Sequence, residues 1–321
     1  MKKILFYFIF VVVLTFVMPI LFTKKFKTED VVSEKIIEDF DYGEYSNLKL
    51  LHSTGEIEEI NLDTYLQGVV ASEMPASFEL EALKAQAIVA RTYTIYQIKN
   101  GDKHENADIC DNASCCQAWM TKENRFARWE EDKREIYWGK ITKAVNETRG
   151  KIIFYEGEPI NAVFHSNSGG KTELANNVWS KNFPYFQIVE ISGEENYTSY
   201  NSEVVLSKDE LIKLMLENNS NFNINYEEPD SIKILEYTEG GRVKKIRIGN
   251  TEISGVECRK ICGLKSANFK IELNEDTIKF IVTGYGHGVG MSQCGSDVLA
   301  KQGKNCTEII KYYYKNVEIH E

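Results

Sequence analysis

The chain lacks a basic face. Its 48 acidic residues outnumber 38 lysines and arginines, for a formal net charge of -10. No block of consecutive basic residues occurs outside the N-terminus. Non-specific nucleic-acid binding needs such a block to displace counterions, so nucleic acid is not expected as a partner. No internal repeat is evident, which argues against a repeat architecture. A complete dinucleotide fingerprint is missing too: Gly284-x-Gly286-x-x-Val289 stops short of the final glycine. No βαβ unit or ribose-binding acid follows it, and no organic cofactor is expected. Finally, the cysteine count is seven, so in an exported chain they cannot all pair internally.

What is present is a globular composition, 43% hydrophobic and 27% charged over 321 residues. That length holds one large domain or two medium ones with real cores. Residues 4–22 carry no charge and lie between Lys2, Lys3 and Lys24, Lys25, Lys27. A run of that length just spans a bilayer core as a helix. A cleaved signal peptide is the competing reading, but such a segment is usually shorter and ends in small residues. Here the run ends Met18-Pro19-Ile20-Leu21-Phe22 with no Ala-x-Ala pattern, so an uncleaved anchor over 1–27 is preferred. Lysines on both flanks leave its orientation open. An acidic linker follows over 28–47, a solvated tether, and the folded region is expected over 48–321, with a smaller subdomain at about 191–275.

The periodicities define an α+β fold, with a helical segment followed by mixed strands and helices. Strands are expected at 48–52 and 56–60 and helices at 62–73 and 79–99, the latter with Leu80, Leu83, Ala87, Ile88, Ile95 and Ile98 on or near one stripe. One charged amphipathic helix is expected over 121–149, with Phe126, Trp129, Ile136 and Val145 as apolar contacts. Beyond Gly150 come strands at 151–155, 160–165, 231–237, 242–248 and 278–282. A helix opens at the Ser207/Glu210 capping box, and two more close the chain near 291–302 and 307–315.

Three motifs carry chemistry. In the first, Glu73 follows a mostly apolar run and precedes Pro75 by two residues. A carboxyl in an apolar corner keeps its proton to higher pH, as a general acid requires. The next helix carries Arg91 and Tyr93, a basic group and an aromatic hydroxyl of the kind that binds sugars. The second motif is 164–172, where a strand ends in the polar turn His165-Ser166-Asn167-Ser168-Gly169-Gly170. Neighbouring residues on a strand face opposite ways, so His165 and Ser166 are not a nucleophile–base pair but candidates for a substrate-binding wall. The third is 283–293, with glycine at every second position from 284 to 290, and His287 and Gln293 as candidate sugar-contacting or loop-locking residues.

Between the helices, His104, Cys110, Cys115 and Cys116 supply four ligands in a polar loop, enough for a closed tetrahedral zinc site. Disulfide formation within the loop is the alternative. Four protein ligands leave no open position for water, so the expected Zn2+ is structural. Cys258, Cys262, Cys294 and Cys306 are assigned no function.

The order Glu-Met-Pro, Glu-Ala-Leu-Lys-Ala-Gln-Ala, Ala-Arg-Thr-Tyr over 73–94 resembles the signature of the stage II sporulation protein D family, cell-wall enzymes of engulfment in endospore-forming bacteria. The His-Ser-x-Ser-Gly-Gly and Gly-His-Gly-Val-Gly-Met-Ser-Gln segments resemble its other two boxes, in the same order, and the likeness covers roughly 48–320. One departure is visible: positions 78 and 79 are Phe and Glu where Trp-Pro is expected. The resemblance implies a membrane-anchored lytic transglycosylase with Glu73 as its catalytic acid. It would cut the MurNAc–GlcNAc bond of peptide-stripped glycan strands and form 1,6-anhydro-MurNAc. Arg91, Tyr93, His165, Ser166, His287 and Gln293 are the substrate-binding candidates, and the resemblance further implies a zinc loop of clostridial type. A partner amidase or endopeptidase and a membrane protein of the engulfment complex are implied as partners, with the folded region outside the cytoplasm, on the mother-cell side facing the forespore. The readings from other classes are a zinc-dependent cell-wall hydrolase and a catalytically silent glycan-binding scaffold.

Overall fold

The computed structural model of the chain describes residues 42–101, 103–179 and 181–320. The anchor expected over 1–27, and all but the end of the linker, lie outside these residues. Among the described residues no helix is long and apolar enough to cross a membrane. The first elements are β1 (Asn47–Leu51), β2 (Ile57–Asn61), α1 (Leu62–Glu73), α2 (Leu80–Asn100), β3 (Ile109–Cys110), α3 (Lys122–Phe126) and α4 (Arg134–Asn146). Then come β4 (Ile152–Tyr155), β5 (Glu158–Pro159), β6 (Phe164–His165), β7 (Asn201–Ser207), α5 (Lys208–Asn218), β8 (Ile232–Tyr237), β9 (Val243–Ile248) and β10 (Thr251–Ser254). The chain closes with α6 (Gly255–Ile261), β11 (Phe269–Leu273), β12 (Thr277–Thr283), β13 (Met291–Ser292), α7 (Gln293–Lys301), α8 (Cys306–Tyr313) and β14 (Glu318–His320). This is the mixed α+β class.

An antiparallel hairpin opens the fold, β1 against β2 from Asn47↔Asn61 to Leu51↔Ile57. Strand β3 adds parallel to β1 through Leu50↔Ile109 and Leu51↔Cys110, which hangs the cysteine-bearing loop on the hairpin. Helix α1 starts where the Asn61 side chain accepts from Asp63 N at 3.1 Å and Thr64 N at 3.3 Å, a cap that satisfies two otherwise orphaned donors. It ends because Met74, ahead of Pro75, takes the extended backbone that a proline imposes on the residue before it.

The expected single stripe on α2 is instead burial on nearly every side. Ala82, Ala85, Ala87 and Ala90 are all inaccessible, and the small residues let α1, α4, α7, α8 and β4 pack around it. A helix apolar all round belongs at the centre of a core.

The expected long helix over 121–149 is broken. The Thr121 hydroxyl caps a short α3, and Glu130 is extended, at φ -57° and ψ 140°. Trp129 packs edge-on to Tyr137 at 5.4 Å and tilted to Phe126 at 6.2 Å, so aromatic closure competes with helix continuation and wins. Val145 is buried as expected, but Ile136 is 68% exposed rather than a contact. The strand expected over 160–165 shrinks to Phe164–His165, paired in parallel with β13 through Met291↔Phe164 and Ser292↔His165.

A second core draws on residues from 204 to 282, against the 191–275 expected for a subdomain, and includes Leu211, Met215, Ile246, Phe269 and Phe280. Two three-stranded sheets, β10-β9-β8 and β11-β12-β7, contribute to it. Helix α5 starts at the Ser207/Glu210 capping box read from sequence. Helix α6 and its C-terminal cap bring in the buried thiols Cys258 and Cys262.

Candidate functional site

Glu73 is the last residue of α1. Its Oε1 accepts the Ala118 N–H at 2.6 Å, and the Gln293 side chain also hydrogen-bonds to it. Burial pushes the carboxyl above its ordinary value, and these two bonds, which favour the ionised form, pull back without cancelling the rise. The negative end of the α1 dipole acts in the same direction as burial. Among the described residues no neighbouring carboxylate contributes to the shift. The site presents one acid, partly buried and held from two sides.

Each support comes from a different part of the chain. Ala118 lies just beyond the cysteine pair. Its segment is pinned by Gln117 Nε2 donating to Thr94 Oγ1 at 3.0 Å and by the Trp119 indole lying so close over Gly68 that a Cβ there would collide with it. Gln293 is the first residue of α7, delivered by the β6–β13 pairing, and its Nε2 donates to Oε1 of the fully buried Gln86 at 3.3 Å. All three motifs therefore converge: α1 carries the acid, β6 aligns β13, and β13 feeds Gln293 to the acid. Gln293 acts on Glu73 and is a positioning residue. Replacing it with Leu removes a bond that favours the carboxylate, so the basic limb of a pH–rate profile is expected to move to higher pH while kcat falls. An unmoved limb would exclude this role.

The remaining sequence candidates scatter. Arg91, expected to bind substrate, is 0% exposed. Its guanidinium donates to Thr148 O at 2.7 Å and Val145 O at 3.3 Å and faces Asp63 at 3.6 Å. It ties α2 to the end of α4 from a fully buried position. Tyr93 is nearly buried, its hydroxyl accepting from Lys103 Nζ at 3.3 Å. His165 is 4% exposed, with Nδ1 donating to Val289 O at 3.1 Å. It too is a lock between motifs rather than a substrate contact. Ser166 contributes its backbone, accepting from Cys294 N at 2.9 Å. His287 is partly exposed, accepts Val289 N on Nδ1 at 3.1 Å and stacks near Trp179 at 4.9 Å. Burial and the Arg259 charge push its pKa down to about 3, so it is a neutral imidazole.

Two buried acids escaped the sequence reading. Glu194 is inaccessible; its carboxylate accepts from Ser168 N at 3.2 Å, Gly170 N at 2.9 Å and the Ser168 and Ser292 hydroxyls. It ties the second motif to the third. Glu173 accepts from Leu174 N and Asn177 Nδ2, both at 2.8 Å, and from the Thr238 hydroxyl. Arg242 reaches back from the second core to Lys171 O at 3.0 Å and Ser168 O at 2.9 Å. Its guanidinium occupies the space a Cβ on Gly288 would need. Nothing marks Glu194 locally; only its partners give it meaning. Gln86, a polar residue amid alanines, did carry a signal.

The loop ligands assemble as the sequence suggested. His104 Nε2, Cys110 Sγ, Cys115 Sγ and Cys116 Sγ all lie within 4.8 Å of one another. Cys116 and Cys115 sulfurs are 3.8 Å apart, and His104 Nε2 is 3.4 Å and 3.8 Å from them. Ligands at about 2.0–2.3 Å on a tetrahedron stand roughly 3.5–3.8 Å apart, so the donor set and its spacing fit zinc. All seven cysteines are free thiols, and the disulfide alternative for this loop is not what the structure adopts.

An α+β protein with one desolvated acid, three motifs locked around it and a closed Cys/His cluster alongside defines the class. Residues 51–155 match the family described as stage II sporulation protein. The chain is 35% identical over 272 residues to stage II sporulation protein D of Bacillus amyloliquefaciens, covering 84% of this chain and 77% of that protein. It is 36% identical over 270 residues to the Bacillus subtilis protein of the same name, covering 83% and 76%. The amidase enhancer of Bacillus subtilis is 28% identical over 299 residues, 78% of this chain and 39% of that protein. The chain belongs to the stage II sporulation protein D family.

Proposed function

We propose that this protein is a peptidoglycan lytic transglycosylase. The observation that carries the reading is the single carboxyl of Glu73, kept above its ordinary pKa by burial and aligned by Ala118 and Gln293. Protonated Glu73 gives its proton to the oxygen bridging MurNAc C1 and GlcNAc. The C1–O bond breaks and the GlcNAc leaves as an alcohol. As carboxylate, Glu73 then takes the proton of the sugar's own C6 hydroxyl, which bonds to C1 and closes the 1,6-anhydro ring. No water is consumed and Glu73 ends protonated. Ordinary glycosidases need a second carboxylate for water or for nucleophilic attack; here the substrate supplies the nucleophile, which suits a site with one acid. The test is the mass of the sugar ends released from peptide-free glycan strands. Anhydro-MurNAc ends support the reading, and reducing ends would replace it with hydrolysis.

Zinc, held by His104, Cys110, Cys115 and Cys116, would clamp the loop whose exit carries Ala118 to Glu73. With four protein ligands it has no position left for water, which disfavours the zinc-hydrolase reading. Chelation is expected to lower the melting temperature by about 5–10 °C and to reduce activity in step with loop loosening rather than at once. Metal analysis should give one zinc per chain; immediate and complete loss of activity at unchanged stability would make the metal catalytic instead. By the same proposal the uncharged run at 4–22 anchors the protein as a single-pass membrane protein, and the catalytic region works outside the cytoplasm on the mother-cell side during engulfment, alongside a partner amidase.

A further inference from the structure

Helix α7 holds the segment around the acid at two points. Gln293, its first residue, bonds to Glu73, and Asp297 lies four residues on, along the same face of the helix. Asp297 is 1% exposed, and its Oδ1 accepts the Glu79 N–H at 2.6 Å. Glu79 directly precedes α2 and makes no side-chain cap bond there, so Asp297 supplies an acceptor to this helix start from another element. Its Oδ2 accepts from the Tyr197 hydroxyl at 2.6 Å and pairs with Lys301 Nζ at 2.7 Å. The Tyr197 ring in turn meets Phe78 edge-on at 5.5 Å, and Lys140 of α4 donates to the Phe78 carbonyl. The turn over 74–79 that follows the acid is thus held at its far end, while Gln293 holds Glu73 at the near one.

A second observation comes from the chain itself. Position 79 is where the family pattern leads to proline, which has no N–H; this chain has Glu there, and its N–H goes to Asp297. The Glu79 backbone nevertheless sits at φ -58°, within the range a proline ring imposes. The hydrogen bond from Asp297 therefore holds by contact what a proline would hold by covalent geometry.

We infer that Asp297 is a positioning residue for Glu73: it fixes the 74–79 turn through the Glu79 N–H and so keeps the corner around the acid closed. This rests on the proposed role of Glu73 as general acid. With the clamp released, water enters beside Glu73, and part of the burial that raises its pKa is lost. The basic limb of the pH–rate profile then moves to lower pH, opposite to the shift expected for Gln293→Leu.

The experiment follows release of anhydro-MurNAc ends from peptide-free glycan strands by the full chain across pH, with thermal melting alongside. Asp297→Ala is expected to lower kcat about tenfold, as misplacement of a reacting group does, and to shift the basic limb to lower pH. KM should stay within about twofold, because Asp297 makes no contact with substrate in this reading. Asp297→Asn keeps an acceptor for the Glu79 N–H and should keep the native limb, although it gives up the Lys301 pair. Glu79→Pro needs no acceptor; added to Asp297→Ala, it should bring kcat back to within about threefold of native and return the limb, since the two changes act on one contact. An unmoved limb in Asp297→Ala, or no recovery with Glu79→Pro, would leave Asp297 a stability residue only and overturn the inference while the proposed function stands. If Asp297→Ala alone does not fold, the double variant decides: native-like activity supports the clamp, and an unfolded or inactive double variant overturns it. If the native chain releases no anhydro ends, the proposed function falls and the inference falls with it.

Discussion

Glu73→Gln is expected to abolish formation of anhydro-MurNAc ends, with a rate loss of about 10³–10⁴-fold, at the upper end for a general acid because the same group serves again as base. The substitution is close to isosteric. The amide oxygen still accepts the Ala118 N–H now held at 2.6 Å, so folding stability should change little, and circular dichroism melting alongside the assay separates chemistry from folding. What disappears is the proton: an amide cannot release one to the leaving oxygen or take one from the C6 hydroxyl. On the proposed mechanism the same acid sets the pH dependence of the native protein. The acid must be protonated, and burial raises its pKa. Activity should therefore persist to higher pH than an ordinary glutamic acid allows, then fall as pH passes the raised pKa. A variant that keeps a tenth or more of native activity would remove Glu73 from the mechanism.

Glu194→Gln is expected to destabilise the fold by about 3–5 kcal/mol, the cost of leaving buried donors without acceptors. The reason lies in which donors are fixed. Ser168 N–H points at one carboxylate oxygen and Gly170 N–H at the other, at 3.2 Å and 2.9 Å. Hydroxyls can rotate, but backbone amides cannot, so whichever oxygen becomes an NH2 faces an N–H. The isosteric amide should then fail almost as badly as alanine, which is unusual for a Glu→Gln change. For a protein of this size the melting temperature should drop by roughly 10 °C. An unfolding free energy within about 1 kcal/mol of the native protein's would show that the network relaxes around the amide.

How the site was legible differs from residue to residue. Glu73 stood out because its surroundings are contiguous: apolar residues before it and a proline after it dictate both a helix end and a desolvated corner, and α1 ends there. The Cys/His cluster was legible for the same reason, since four such donors within one short loop have few ways to avoid one another. The capping box at Ser207 is likewise a local rule with a local outcome.

Arg91 shows the opposite case. The sequence marks it only as a basic residue within a motif, and α2, running through the centre of the core, turns that position toward Thr148 and Val145. Whether a helical residue faces water depends on how many elements surround the helix, which its own periodicity does not record. The broken helix over 121–149 is similar: helical propensity lost to the packing of Phe126, Trp129 and Tyr137. The supports of Glu73 come from positions 118 and 293, and the Glu194 network joins 168, 170 and 292.

By itself the sequence determined the α+β class, most element types, the helix end at Glu73 and the Cys/His loop cluster, because each follows from interactions between residues close along the chain. The tertiary structure alone decided which polar residues are buried locks and which face solvent. It also decided how one acid acquires its alignment, because those outcomes depend on burial and on hydrogen bonds between residues tens to hundreds of positions apart.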